Sequence, residues 1–167
     1  MGNKIDFFTR SDINSSLKRI EELLSCGIFH PHNSNHVLMR AAFIEILISL
    51  RDLMYKSEKY ASRISFTDDI VIESKIRDVS DLIKYVRDAL CHPDSDNHYI
   101  EKNNIKSTFN VAFGKCSLIK IGDFEQKSEY DDDICFFFGS KNIYLNRHIV
   151  RAYNEAKEKF KPILNDN

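Results

Sequence analysis

The residues best suited to chemistry lie together in Val86-Arg87-Asp88-Ala89-Leu90-Cys91-His92-Pro93, where a histidine follows an arginine five positions later. A guanidinium presents a planar fork of donors that can hold two phosphate oxygens at once, and an imidazole exchanges protons near neutral pH. Brought together, the two would place an anion-binding fork beside a proton-transfer group. Asp88 can orient the imidazole or remain solvated. The plainer alternative makes Arg87 a surface ion-pair partner beside Asp88 and His92 a helix-terminal residue favoured by the macrodipole. In a continuous helix, five residues turn through about 500°, which leaves the two side chains about 140° apart. Pro93 pushes the residue before it out of helical geometry, so the turn at His92 is expected to unwind and let the imidazole swing back towards Arg87.

Other reactive residue types read more plainly. His30, His32 and His36 cluster, but they lack carboxylate or thiolate partners at ligand spacing and are expected to serve a loop and its caps. No metal or other cofactor is expected. Cys91 neighbours His92, yet adjacent helical residues point about 100° apart, and a buried thiol is the commoner outcome. Asp94, Asp96 and Asn97 alternate like the start of a calcium loop but lack its glycine and terminal glutamate. Phe136, Phe137 and Phe138 can stack bases, although strand spacing turns at least two of them to a core. Arg147 and Arg151, with Lys157 and Lys159, are candidate RNA guides on the last helix, and the intervening Glu155 and Glu158 fit a solvated face equally well.

The elements that position these residues are mostly helical. Ile13, Leu17, Ile20 and Leu24 place a first helix at about Asp12 to Ser25, stopped by Gly27. Val37, Ala41, Ile44, Leu47, Ile48 and Met54 mark a second from His36 to Ser57, with a stripe broad enough for more than one neighbour. Thr67 with Asp68 and Asp69 is a capping signature for a third helix, carried to Leu90 or Cys91 and ended by Pro93. β-Branched and aromatic runs then predict two hairpins, Ser107 to Phe113 with Lys115 to Ile121, and Ile134 to Phe138 with Asn142 to Leu145. A last helix runs from Arg147 to Phe160, capped by Asn146. Lys56 to Phe66 and Asp123 to Asp133 are expected to be mobile loops. The reading is mainly α: one domain over 1–167, a helical bundle with a small β-hairpin insertion at about 107–145.

Composition sets the limits. The 167 residues, 43% of them hydrophobic, can build one sizeable core. The richest apolar run, Val37 to Leu53, is interrupted by Arg40, Glu45 and Arg51, so no membrane span is expected. Met1 to Arg10 lacks the apolar stretch of a secretory leader, and Cys26, Cys91, Cys116 and Cys135 are scattered, which together point to reduced thiols and a cytoplasmic address. Net charge is −1, so any RNA contact must be a local patch.

The Arg87-Asp88 pair with His92 resembles the hallmark of the HEPN family (higher eukaryotes and prokaryotes nucleotide-binding), an arginine, a polar residue and then a histidine four to six residues beyond the arginine, near a helix end. Asparagine is common after that arginine, where this chain has Asp88. The order of elements and the run Asp132-Asp133-Ile134-Cys135-Phe136-Phe137-Phe138-Gly139 are similar to some bacterial members. The resemblance implies a HEPN-like bundle and metal-independent endoribonuclease activity of toxin or antiviral-defence type, with Arg87 and His92 catalytic and RNA as substrate. It also implies a homodimer with the active site at the interface, since a two-fold contact supplies both an acid and a base. The other reading is a catalytically silent HEPN module that binds RNA, a nucleotide or a protein. Family toxins often sit beside an antitoxin or another defence-system partner. The His-x-Tyr extension tied to tyrosine modification in the branch neutralised by a nucleotidyltransferase is absent, because Pro93 and Asp94 follow His92, so a partner of that kind is not expected.

Overall fold

Apolar side chains at alternating three- and four-residue steps set the helices of this chain, and buried polar groups join its strands. The computed structural model describes residues 5–92, 94–100 and 105–165. They separate into two compact units, residues 1–87 with 151–167 and residues 88–150. Of the described residues, 52% are helical and 19% lie in small antiparallel sheets built from seven strands. The fold is therefore mixed α/β, which corrects the expectation of a mainly α bundle carrying a hairpin insertion.

The first unit holds α1 (Phe7–Ser25), α2 (Met39–Tyr60), the start of α3 (Val79–Cys91) and α4 (Arg151–Asn165). Asp6 caps α1, its carboxylate accepting from the amides of Phe8 and Thr9 at 2.9 and 3.0 Å, so the helix begins ahead of the expected Asp12. Met39, Phe43, Ile46, Leu50, Leu53 and Ser57 form the buried seam of α2. That seam is rotated from the expected stripe, because Ile48 is 43% exposed and Val37 is 87% exposed. Ile13, Leu17 and Ile20 of α1 and Ala152, Ala156 and Phe160 of α4 complete the core. Each fully buried Leu, Ile or Phe stabilises it by roughly 1.5–3 kcal/mol.

Helix α3 does not begin at Thr67. The Ile70 amide bonds back to the Thr67 carbonyl at 3.2 Å, and Asp69 has a φ of 59°, so this stretch makes a turn. Asp78 provides the cap instead, accepting from the Asp81 amide at 3.0 Å. Arg63 locks that start, donating Nε to Asp78 at 2.8 Å and Nη2 to Asp81 at 2.8 Å. No helix among the described residues is long and apolar enough to cross a membrane.

The second unit holds β1 (Tyr99–Ile100) paired with β2 (Ile105–Lys106), a sheet in the order β3 (Asn110–Phe113), β6 (Ile134–Phe138) and β7 (Lys141–Tyr144), and a ribbon of β4 (Cys116–Ile121) with β5 (Phe124–Ser128). The β6–β7 hairpin forms as expected. The other does not: β3 pairs with β6, Val111 opposite Phe136, and β4 pairs across Gly122 with β5, a strand inside the segment Asp123 to Asp133 expected to be a loop. A buried amide network explains the arrangement. Gln126 Nε2 donates to Ser107 Oγ and to the Gly139 carbonyl, both at 3.0 Å, and Asn110 Nδ2 donates to Gln126 at 3.0 Å. Both faces of β6 are covered, with Phe109 against Phe136 and Phe138, and Phe137 clustered with Ala112, Cys135 and Tyr144.

Candidate active site

Arg87 is half-buried on α3, and Ala89 and Leu90 beyond it are buried, so the helix is held by its apolar face as it approaches its end. Asp88 is half-buried and His92 is exposed. The His92 amide still donates to the Asp88 carbonyl at 3.2 Å, the bond of an unbroken helix. Helix α3 ends at Cys91, so His92 lies just outside it as expected, with its amide closing the last turn. Pro93, on which the expectation turned, lies outside the described residues.

The His92 carbonyl is anchored twice, accepting from the Ser95 amide at 2.9 Å and lying 3.3 Å from Nε2 of His98. His98 is 1% exposed, and its Nδ1 finds no partner among the described residues. A carbonyl only accepts, so the tautomer with its proton on Nε2 makes this contact. The His98 carbonyl in turn accepts from the Ser107 amide at 2.8 Å, and the Ser107 carbonyl accepts from the Gly139 amide at 2.8 Å. Gly139 has a φ of +53°, and a Cβ there would stand 2.6 Å from the Asn97 carbonyl oxygen. The backbone of the candidate histidine is thus tied into the second unit's sheet, while its imidazole faces solvent. Residue type was the only sequence signal for His98, a second histidine shortly after the first.

The candidate RNA guides are held by carboxylates. Arg147 donates to Asp133 at 3.1 Å, reaches Asp132 at 3.0 Å and stacks on Tyr130 at 3.6 Å from the ring centroid. Asp133 also accepts from the amides of Ile134, Asn146 and Arg147, and so caps the π-helical turn Leu145–Val150 in place of the expected Asn146. Arg151 pairs with Asp68 at 2.8 Å and with Glu155 at 3.2 Å.

The remaining candidates are local. His30 accepts from the His32 amide at 3.3 Å and His36 from the Leu38 amide at 3.1 Å, so both act as turn caps. No group of three or more His, Cys, Asp or Glu side chains that could hold a metal ion occurs among the described residues. Asp94, Asp96 and Asn97 belong to a turn that includes the short helix Asp96–His98, capped by Ser95. Cys91 is exposed rather than buried. Cys135 is buried, which pushes its thiol up to about 12 and leaves it protonated at neutral pH. Phe136, Phe137 and Phe138 are all buried, which leaves none of them a surface for stacking bases. The chain matches no protein-family model, and searches of curated proteins and of solved structures find no significant match.

Proposed function

We propose that this chain is a HEPN-type endoribonuclease, of the toxin or antiviral-defence kind, that acts on RNA as a homodimer. The observation that carries this reading is the end of α3, where an exposed imidazole sits on an anchored backbone five residues after a half-buried arginine. Rigid support of a reacting group is what positional catalysis requires. One imidazole takes the proton from the ribose 2'-hydroxyl as its oxygen attacks phosphorus. A second, protonated imidazole gives its proton to the departing 5'-oxygen, and the products carry a cyclic phosphate and a 5'-hydroxyl. Arg87 stabilises the charge that develops on the non-bridging oxygens. One chain offers a single His92, which cannot serve at once as the base for the attacking oxygen and the acid for the leaving one. The dimer therefore supplies the second proton-transfer group, and Arg87 and His92 of different copies complete each other.

His92→Ala should lower cleavage of single-stranded RNA in chelator by about 10²- to 10⁴-fold while leaving the dimer mass unchanged. Undiminished cleavage, or a monomeric wild-type mass at micromolar concentration, would remove the proposal. The retained helical bond at His92 also favours a second reading, a catalytically silent module that binds RNA, a nucleotide or a protein. Wild-type protein that binds but never cleaves a panel of RNAs would establish it.

A further inference from the structure

Within the first unit, α2 and α3 border an open cleft with a cavity volume of about 60 Å³, lined among others by Arg51, Tyr55, Glu58, Arg63, Asp81 and Lys84. Small-molecule pockets run from roughly 300 Å³ upward, so this cleft suits one group of a larger ligand rather than a whole small ligand. Its charges are not balanced internally. Glu58 and Asp81 are both committed to Arg63, at 3.0 and 2.8 Å, and Asp81 also binds Arg77 at 2.6 Å. Arg51 and Lys84 have no carboxylate partner among the described residues. The Arg51 guanidinium lies 5.5 Å from the centroid of the Tyr55 ring, which is 54% exposed. Two cations without a carboxylate partner and a partly exposed aromatic ring at one small cleft form a donor set for an anionic group near a flat ring.

The phase of α3 gives this cleft a direction. Ser80, Lys84 and Arg87 follow one another at steps of four and three residues, so they share a face within about 60°, and Lys84 and Arg87 are on the order of 5 Å apart along the axis. We infer that the cleft is a subsite for an RNA backbone phosphate next to the one Arg87 holds, with Arg51 and Lys84 as its ligands and Tyr55 stacking a neighbouring base. This rests on the ribonuclease reading. The ligand is a phosphodiester of single-stranded RNA, whose bases are free to stack. Arg63 does not bind it directly. Its three carboxylate partners hold it as the fixed post between Glu58 on α2 and the cap of α3.

The test is fluorescence anisotropy of a labelled single-stranded RNA, 2'-O-methylated to block cleavage, titrated with full-length protein in chelator over a range of salt. Arg51→Gln with Lys84→Gln should raise Kd about tenfold or more and make log K against log salt less steep by roughly 0.7 to 1.4. Lys84→Gln alone, at an exposed position, should give about half that change in slope, and it carries the test if the double variant melts early. Wild-type binding with no change of Kd or slope in the variants overturns the subsite and leaves the ribonuclease reading standing. Wild-type protein that neither binds nor cuts RNA overturns both.

Discussion

The two units keep their buried polar groups in different ways. In the helical unit charge sits at the edge of the core, where Arg63 gathers Glu58, Asp78 and Asp81 around the start of α3 and the interior is almost wholly apolar. In the strand-rich unit polar groups lie inside, with Gln126, Ser128, Ser107, Asp133 and His148 all buried. A helix satisfies its own backbone and needs help only at its ends, whereas short strands and the turns between them need partners throughout. Single substitutions should therefore be graded in the first unit and abrupt in the second, and the histidine of the candidate site hangs from the abrupt one.

Gly139→Ala tests that contrast most severely. The position has a φ of +53°, and the new Cβ would meet carbonyl oxygens of Asn97 at 2.6 Å and Tyr99 at 2.9 Å, both backbone atoms that cannot rotate away. Strain and clash together should cost about 3 kcal/mol or more in urea unfolding. A loss under about 1 kcal/mol would show that the 97–99 segment yields, and that His92 is less firmly held than the hydrogen bonds imply. Asp133→Ala comes next. It strips acceptors from three backbone amides and leaves the Arg147 guanidinium without its 3.1 Å partner, for an expected loss of about 2–4 kcal/mol. Asp133→Asn, which keeps one acceptor oxygen, should recover part of it. Equal losses in the two variants would mean that shape rather than amide capture is what Asp133 provides.

The same contrast explains what could be read from the chain. Helix periodicity is a local signal, so four helices were legible, and Ile13, Leu17 and Ile20 fall where their spacing places them. The phase of α2 was legible only in part: Leu47 and Met54 are buried as expected, but a chain rich in Ile and Leu on several sides supports more than one stripe, and Phe43 and Leu50 rather than Ile48 take the interior. The false start at Thr67 arose because two signatures of the same kind compete, Thr67 with its acids and Asp78 with Asp81 three residues on, and Arg63 favours the second. That outcome needs a residue distant in the chain. Strand partners are non-local in the same way: Gly114 promises a hairpin that β3 declines in favour of β6. Of the site, the residue types at Arg87 and His92 were legible, but the support from His98 was not, because it depends on a turn beyond the helix.

Asp81→Asn gives the smallest effect and the one with a usable pH signature. The Arg77 guanidinium first, and then the Arg77 amide and Arg63, hold the Asp81 carboxyl at about 2, below its ordinary 3.8. A depressed carboxyl favours the folded state wherever it is ionised in both states, and that benefit disappears once the folded protein also binds the proton. The contribution of Asp81 should therefore be fully present above about pH 4 and lost as pH falls towards about 2. With the side chain 15% exposed, about 1–2 kcal/mol is expected at neutral pH. Urea unfolding of Asp81→Asn against wild type should show that gap at pH 7 and its closure between about pH 4 and pH 2. A gap that persists unchanged at pH 2 would assign the loss to the cap of α3 rather than to the ion pair. The first unit would then depend on backbone capture at a helix end as much as the second depends on Asp133.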